Sequence, residues 1–153
     1  MSLVIFDFDG VLSCDGESMP PYISAMLEDL RRKGVLLGLA SHNDYAGENV
    51  RITSMFDAAR ARYPAHLESF IENESPRVQR LARKLCAYDK AAMVKRILSE
   101  LNFSTDGKIH YLDDVEEFCQ RVKDIVPSIH VHHVTSGLLQ PSEIASLYFE
   151  LGL

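Results

Sequence analysis

Two aspartates follow the first apolar run of the chain, and their spacing suits metal-assisted chemistry. Asp7 and Asp9 come directly after the apolar residues 3–6 and are followed by Gly10. On an extended chain, residues two apart point their side chains to the same face. Carboxylates that lie this close repel each other unless a cation or a proton sits between them. The alternative is a plain strand and an Asp-Gly turn, which does not require the second aspartate.

Two further polar groups follow later apolar runs. Ser41 ends the run 35–40 and is followed by His42 and Asn43, near a predicted helix start. A serine there is often a simple helix cap, but a hydroxyl beside backbone N–H groups also suits phosphate oxygens. Asp113 and Asp114 end the run 108–112. One of these acids could be a cap, whereas two adjacent acids indicate a cation.

A lysine is predicted to open a later helix. Asp89 would cap that helix and Lys90 would lie in its first turn, after a separate helix over 77–87. A positive charge at a helix start opposes the helix dipole, so its position indicates a second role. Most lysines are simply solvated, and Lys84 and Lys95 compete for the same role.

These residues are positioned by elements that predict an α/β protein. Strands are expected at 3–6, 35–40, 108–112 and 129–134, with helices between them, so we predict a three-layer Rossmann-like fold with a mostly parallel central sheet. A strand–helix–strand unit is right-handed and makes its strands parallel. The carboxyl ends of parallel strands meet at one edge, where open α/β sheets bind their ligands.

Length and composition predict one domain over residues 1–153, with a helical insert of uncertain structure at about 45–89. The formal net charge of −6 makes a nucleic-acid partner unlikely, and no apolar run predicts a membrane partner. Three widely spaced cysteines fit a reducing, cytoplasmic location and argue against a zinc site. His130 and His132 share a face of the last strand, but the sequence shows no third ligand beside them, so we expect them to pack or be exposed.

The chain carries, in the family's order, residues that resemble the four motifs of the haloacid dehalogenase-like (HAD) superfamily: Asp7-x-Asp9, Ser41, Lys90 and Asp113-Asp114. The resemblance spans residues 3 to about 140, apart from 45–89. It implies a phosphatase that forms an aspartyl-phosphate, with Asp7 as the nucleophile and Asp9 as the general acid and base. Ser41 and Lys90 would bind the phosphoryl oxygens.

The resemblance also implies a Mg²⁺ site and a substrate site. The implied metal ligands are Asp7, the carbonyl oxygen of Asp9 and the acidic pair, in which Asp114 is preferred to Asp113 as the direct ligand. The residues expected to contact the substrate are His42 and Asn43 beside Ser41 and Lys90, with Arg60 and Arg62 as further candidates.

The family pattern is incomplete at one point. Many such motifs carry a polar anchor after the acidic pair; Phe118 occupies one position where it is expected, and Glu117 is a possible substitute. The segments 10–35 and 45–89 are too short for a full cap domain, so the chain resembles the capless, magnesium-dependent phosphatase-1 group. An open site of this kind implies a phosphorylated macromolecule or a sugar phosphate as the substrate.

Three other functions are compatible with parts of this pattern. A phosphotransferase would use the same residues and pass the phosphoryl group to an acceptor other than water. A regulatory module could keep the fold without turnover, although all four motifs are intact. A receiver domain is excluded because its phosphorylated aspartate ends a middle strand, where this chain has Ser41. The sequence does not indicate an oligomeric state.

Overall fold

A five-stranded parallel sheet forms the centre of the protein. The computed structural model describes residues 1–64 and 75–153. Within them, the strands are β1 (Ser2–Phe6), β2 (Leu36–Ser41), β3 (Ala58–Ala61), β4 (Lys108–Asp113) and β5 (His130–His133). Their order is β3-β2-β1-β4-β5, and every neighbouring pair is parallel. The α/β, Rossmann-like prediction is therefore confirmed.

The helices cover both faces of this sheet. They are α1 (Pro21–Arg32), α2 (Asp44–Glu48), α3 (Val50–Thr53), α4 (Pro76–Glu100), α5 (Glu116–Ile125) and α6 (Pro141–Glu150). α1 begins with Pro21 in its first turn, where the missing N–H of proline costs nothing. Gly34, with φ +83°, supplies the left-handed residue after its end.

Side-chain alternation in β1 divides the interior into two cores. Val4 and Phe6 pack with α1 and α6 on one face, whereas Leu3 and Ile5 pack with α4 and α5 on the other. All four side chains are fully buried, as a central parallel strand requires. Asp7 continues the alternation of Leu3 and Ile5, so its side chain lies on the side of the sheet that α4 covers.

The helix that carries Lys90 differs from the prediction. α4 runs without a break from Pro76 to Glu100, with Ser75 as its N-cap, so Asp89 and Lys90 lie in its middle. The predicted helix start at Asp89 is wrong because residues 77–106 contain neither glycine nor proline that could end the first helix. An aspartate in a helix interior resembles a cap in sequence, and tertiary packing decides which it is.

The segment between β2 and α4 supplies the edge strand β3. α2 and α3 follow β2 closely, and β3 then pairs with β2 from Gly38–Ala58 to Ser41–Ala61. The remaining part of the predicted insert, residues 65–74, lies outside the described residues. In the part of the chain that the structure describes, no helix combines the length and apolarity needed to cross a membrane.

Candidate active site

A buried lysine joins two of the predicted acidic motifs. Lys90 Nζ lies 3.0 Å from Asp7 Oδ1 and 3.4 Å from Asp113 Oδ2, and it donates to the carbonyl oxygen of Ala40 at 2.9 Å. Asp7 comes directly after β1, and Asp113 ends the neighbouring strand β4. Both side chains lie on the face of the sheet that α4 covers, so one lysine on α4 reaches both carboxylates. The lysine side chain is only 1% exposed.

The charges in this network strongly influence one another. Burial raises the pKa of Asp7 well above its usual range, and the Lys90 ammonium opposes this shift. Burial alone would lower the pKa of Lys90, but the carboxylates of Asp7 and Asp113 raise it above its ordinary value. Lys90 is therefore a charged ammonium group inside the protein, where its attraction to anions is only weakly screened by water.

Asp113 and Asp114 occupy different environments although they are adjacent. Asp113 is fully buried and accepts hydrogen bonds from the hydroxyl of Tyr111 and, at 3.0 Å, from the backbone N–H of Val115. Asp114 is exposed at the edge of the sheet, and its carbonyl oxygen accepts a hydrogen bond from His133 Nε2 at 3.0 Å. Asp113 is thus held by protein donors, whereas Asp114 faces the solvent.

Three carboxylates at this edge fit a hard divalent cation. Among the described residues, Asp7, Asp113 and Asp114 each offer an oxygen atom, and these atoms lie within 4.8 Å of one another. Burial raises the pKa of Asp114 as well as that of Asp7, and a cation among the three groups would favour their charged forms. Carboxylate oxygen is the donor that Mg²⁺ prefers, so the residues present fit this ion.

Gly10 allows the acidic groups to approach one another. Its φ of +75° lies in the left-handed region, and a Cβ atom built on it would overlap the carboxylate of Asp114. A side chain at this position would therefore displace Asp114 as well as strain the backbone. The glycine of the first motif serves the site directly rather than only turning the chain.

Asp9 is positioned by a residue that the sequence analysis assigned to the substrate. Asn43 Nδ2 donates to Asp9 Oδ1 at 3.0 Å and to the carbonyl oxygen of Gly16 at 2.8 Å. Gly16 has φ +78°, and a Cβ atom there would lie 2.9 Å from Asp9 Oδ1. Asp9 is exposed, and its carboxylate is not in the group formed by Asp7, Asp113 and Asp114 among the described residues. The metal contact predicted for Asp9 is made by its carbonyl oxygen and does not require its carboxylate.

Ser41 is buried and has an unpaired hydroxyl group. Its side chain is fully buried, and Ser41 Oγ has no hydrogen-bond partner among the described residues. The helix-cap interpretation is wrong because Asn43 caps α2 instead, accepting a hydrogen bond from the N–H of Ala46 at 3.0 Å. The neighbouring residue Ala40 is bound to Lys90 through its carbonyl oxygen. A buried hydroxyl without a partner is costly, so this unpaired group calls for an explanation.

His42 is held beside the lysine network. Its Nε2 lies 2.9 Å from Asp89 Oδ2, and its ring makes edge contacts with Phe118 and Tyr63, with ring centroids 5.7 and 6.2 Å away. Burial lowers the pKa of His42, as does the nearby ammonium of Lys90. The ring therefore has an orienting partner on α4 that the sequence analysis had treated as a helix cap.

The two candidate arginines line the same cavity as Asp89, the partner of His42. Arg60 and Arg62 line a cavity of about 530 Å³ next to β3, together with Arg96 and Asp89 of α4. Because Asp89 both lines the cavity and holds His42, the cavity adjoins the residues that follow β2. The guanidinium group of Arg60 also pairs with Glu100 at 3.3 Å, so it lies towards the C-terminal end of α4.

Phe118 replaces the polar anchor expected after the acidic pair. The Lys90 Nζ atom lies 5.4 Å from the centre of its ring, within the range of a cation–π contact. Glu117, the predicted substitute, instead pairs with Arg83 at 3.5 Å on the surface, so that expectation is wrong. Tyr111 anchors Asp113, and strand alternation could have identified it because residues 111 and 113 share a face.

Comparison with known proteins supports the fold. No protein-family model matches the chain, and no curated protein matches its sequence. The chain is similar in structure to the N-terminal part of a Bacteroides fragilis protein, described as containing a phosphatase domain and complexed with Mg, with a TM-score of 0.59 and 18% identity. The match covers 99% of this chain and 40% of that one, so the chain spans less than half of its length.

A second solved structure is also similar to the chain. It is a haloacid dehalogenase-like family hydrolase from Streptococcus pneumoniae, with a TM-score of 0.49 and 16% identity, and the match covers 84% of this chain and 52% of that one. At these levels of identity, the likeness to the Bacteroides structure establishes the parallel α/β architecture. The chemistry is argued from the residues of this chain.

Proposed function

We propose that the protein is a Mg²⁺-dependent phosphatase that hydrolyses phosphomonoesters through an aspartyl-phosphate on Asp7. The observation that carries this proposal is the buried contact of Lys90 with Asp7, at 3.0 Å, and with Asp113, at 3.4 Å. A nucleophilic carboxylate beside a fixed ammonium is suited to an anionic substrate, because the ammonium offsets the repulsion between the two anions. The unpaired Ser41 hydroxyl at the same sheet edge supplies a neutral donor for the phosphate.

The metal ion belongs among the carboxylates at this edge. Asp114 would be the direct ligand with Asp7, because Asp114 is exposed whereas Asp113 is occupied by Tyr111, Val115 and Lys90. When bound, Mg²⁺ would screen the negative charges of the nucleophile and the phosphate and polarise the phosphoryl oxygens. Asp113 would then not bind the ion directly but would hold Asp114 and Lys90 in position.

In the first step, an Asp7 oxygen attacks phosphorus and the bond between phosphorus and the ester oxygen breaks. Asp9 gives its proton to the leaving oxygen, which departs as an alcohol, and the phosphoryl group remains on Asp7. Lys90 and Ser41 hold phosphoryl oxygens as negative charge spreads over them. Asn43 keeps the Asp9 carboxylate turned towards the open edge of the sheet through its 3.0 Å hydrogen bond.

In the second step, Asp9 reverses its role. Its carboxylate takes a proton from water, the water oxygen attacks phosphorus, and the bond between phosphorus and Asp7 breaks. Inorganic phosphate leaves, the Asp7 carboxylate is restored, and Asp9 is protonated again for the next cycle. Because Asp9 is exposed, water reaches it without a conformational change.

The substrate is proposed to be a phosphorylated macromolecule or a sugar phosphate. Asp9 and Asp114 are both exposed, so the reacting edge opens directly to solvent and admits a phosphate on a large body. Arg62 and Arg96 line the cavity next to β3 with Arg60, which pairs with Glu100, and these guanidinium groups would favour an acidic group on the substrate. This arrangement is in keeping with a capless enzyme of the HAD type.

The proposal is tested by hydrolysis of p-nitrophenyl phosphate with Mg²⁺ and after addition of a chelator. We expect phosphate release that requires the metal and is abolished in Asp7→Asn, whose amide oxygen still accepts the hydrogen bond from Lys90. Asp124→Asn, the same change at an exposed position of α5, is the matched control and should retain full activity. Activity that survives in Asp7→Asn would disprove the assignment of the nucleophile.

Two alternatives are separated by further outcomes of the same assay. A phosphotransferase would give more free p-nitrophenol than inorganic phosphate when an alcohol is added, because the alcohol intercepts the Asp7 phosphate. A regulatory module would release no phosphate from any substrate and still bind Mg²⁺ in calorimetry. The present arrangement favours hydrolysis because the proton donor and acceptor, Asp9, is open to water.

A further inference from the structure

A second group of metal-binding side chains lies away from the active site. His110 Nδ1 is 2.9 Å from His132 Nε2, and Glu150 Oε2 is 3.3 Å from that nitrogen and 3.8 Å from His110 Nδ1. His110 precedes Asp113 by three residues, about 10 Å along β4, and its side chain lies on the opposite face of the sheet. The group is therefore separate from the proposed catalytic carboxylates and does not depend on the proposed phosphatase activity.

The separations within this group suit a tetrahedral metal ion. Ligand atoms bound tetrahedrally to Zn²⁺ at 2.0–2.1 Å lie about 3.3–3.4 Å from one another. The three observed separations, 2.9, 3.3 and 3.8 Å, fall on both sides of that value. Two imidazole nitrogens and one carboxylate oxygen are also a ligand set that Zn²⁺ uses in proteins, whereas Mg²⁺ prefers oxygen ligands alone.

The fold places a polar ring where an apolar side chain would otherwise pack. His110 is 2% exposed, pairs in register with His130 on the adjacent strand, and stacks between His130 and His132 with ring centroids 5.0 and 5.2 Å apart. Burial of such a ring is costly unless its polar atoms have partners, and Nδ1 is the atom that faces His132 Nε2 and Glu150 Oε2.

The position of Glu150 also calls for a cation. It is the last residue of α6, where the negative end of the helix dipole disfavours a carboxylate. Within the described residues, its ion-pair contacts are with His110 and His132. A bound metal ion would supply a positive charge beside this carboxylate.

We propose that His110 Nδ1, His132 Nε2 and the carboxylate of Glu150 bind one Zn²⁺ ion. His132 and Glu150 are 26% and 48% exposed, so the fourth coordination position opens to solvent and would hold water. The ion would join the end of α6 to strands β4 and β5. The sequence analysis considered His130 and His132 without a third ligand; the structure instead pairs His132 with His110 and adds Glu150 from the C-terminal helix.

The test is equilibrium dialysis of Zn²⁺ against the purified full chain in excess Mg²⁺, comparing the natural protein with His132→Ala and Glu150→Gln. Both substituted residues are partly exposed, so these variants should fold. Each variant is expected to lose one equivalent of Zn²⁺ or to bind it much more weakly. Loss of a residue that only supports a ligand weakens metal binding by roughly 10–100-fold, so the loss of a ligand itself should exceed that factor. The matched control, His130→Gln, keeps every proposed ligand and should keep that equivalent.

Two further readouts identify the kind of site. Co²⁺ bound at this four-coordinate site should absorb visible light strongly, and the band should disappear in His132→Ala. Zn²⁺ at about 100 times its Kd should raise the Tm of the natural protein by about 5–10 °C, and this rise should be lost in Glu150→Gln. Zn²⁺ held at the catalytic carboxylates would be retained in both variants. Absence of binding, or equal binding in all four proteins, would overturn the proposal.

Discussion

Removal of the Ser41 hydroxyl should stabilise the protein and impair its catalysis. Ser41 Oγ is fully buried without a hydrogen-bond partner among the described residues, and an unpaired buried polar group costs about 1–3 kcal/mol. Ser41→Ala removes this cost but also loses the packing contacts of the oxygen atom. We therefore expect the free energy of unfolding to rise by about 1 kcal/mol, equivalent to a Tm increase of about 2–4 °C. Loss of a phosphate donor should reduce kcat by about 10²-fold.

A second buried serine provides the matched control. Ser13 is also fully buried, but its Oγ donates to Asp15 Oδ1 at 2.9 Å and accepts from the N–H of Gly16 at 3.0 Å. Ser13→Ala breaks both bonds and should lower the free energy of unfolding by about 1 kcal/mol. The two variants are thus expected to shift the Tm in opposite directions.

The assay is thermal unfolding without metal or phosphate, followed by the same measurement with saturating phosphate and Mg²⁺. Because the natural Ser41 gains a partner when phosphate binds, the ligands should stabilise the natural protein more than Ser41→Ala. If Ser41→Ala instead lowers the Tm as much as Ser13→Ala does, the Ser41 hydroxyl has a partner in the free protein, and the reasoning fails.

Two further predictions concern the residues around the nucleophile. Lys90→Met leaves the buried Asp7 without its cation and should lower the free energy of unfolding by about 3–5 kcal/mol, measured in urea with a chelator present. An equal loss when the same change is made in Asp7→Asn would contradict the pairing. Asn43→Asp keeps the oxygen that caps α2 but places a second carboxylate beside Asp9, so kcat should fall about tenfold or more with little change in Tm. Asn49→Asp, the same change at the N-cap of α3, is its control, and equal kcat values in the two variants would refute the positioning role.

The sequence was sufficient to predict a parallel sheet and the residues at the carboxyl ends of three of its strands. The apolar runs before Asp7, Ser41 and Asp113 are strands buried in a parallel sheet, so rules for parallel strands bring their carboxyl ends together. The order of all five strands was not among these predictions. The roles of these residues in catalysis stay predictions until the assays above are made.

Contacts between distant segments could not be predicted in the same way. Lys90 was selected for its supposed place at a helix start, whereas it lies in the middle of α4, from where its side chain reaches Asp7 and Asp113. Asn43 holds Asp9 across 34 residues of sequence, and His110 meets Glu150 from a different element. Such pairs depend on how helices dock, and neither local propensity nor periodicity contains that information.

The order of the charged residues along the chain has a consequence for its synthesis. Asp7 is made first, Lys90 follows 83 residues later, and Asp113 and Asp114 come last. The carboxylate of Asp7 and the ammonium of Lys90 are therefore both present in the growing chain before the competing carboxylates are made. The charged groups thus appear in an order that alternates in sign. The group of three carboxylates is complete only when strand β4 joins the sheet.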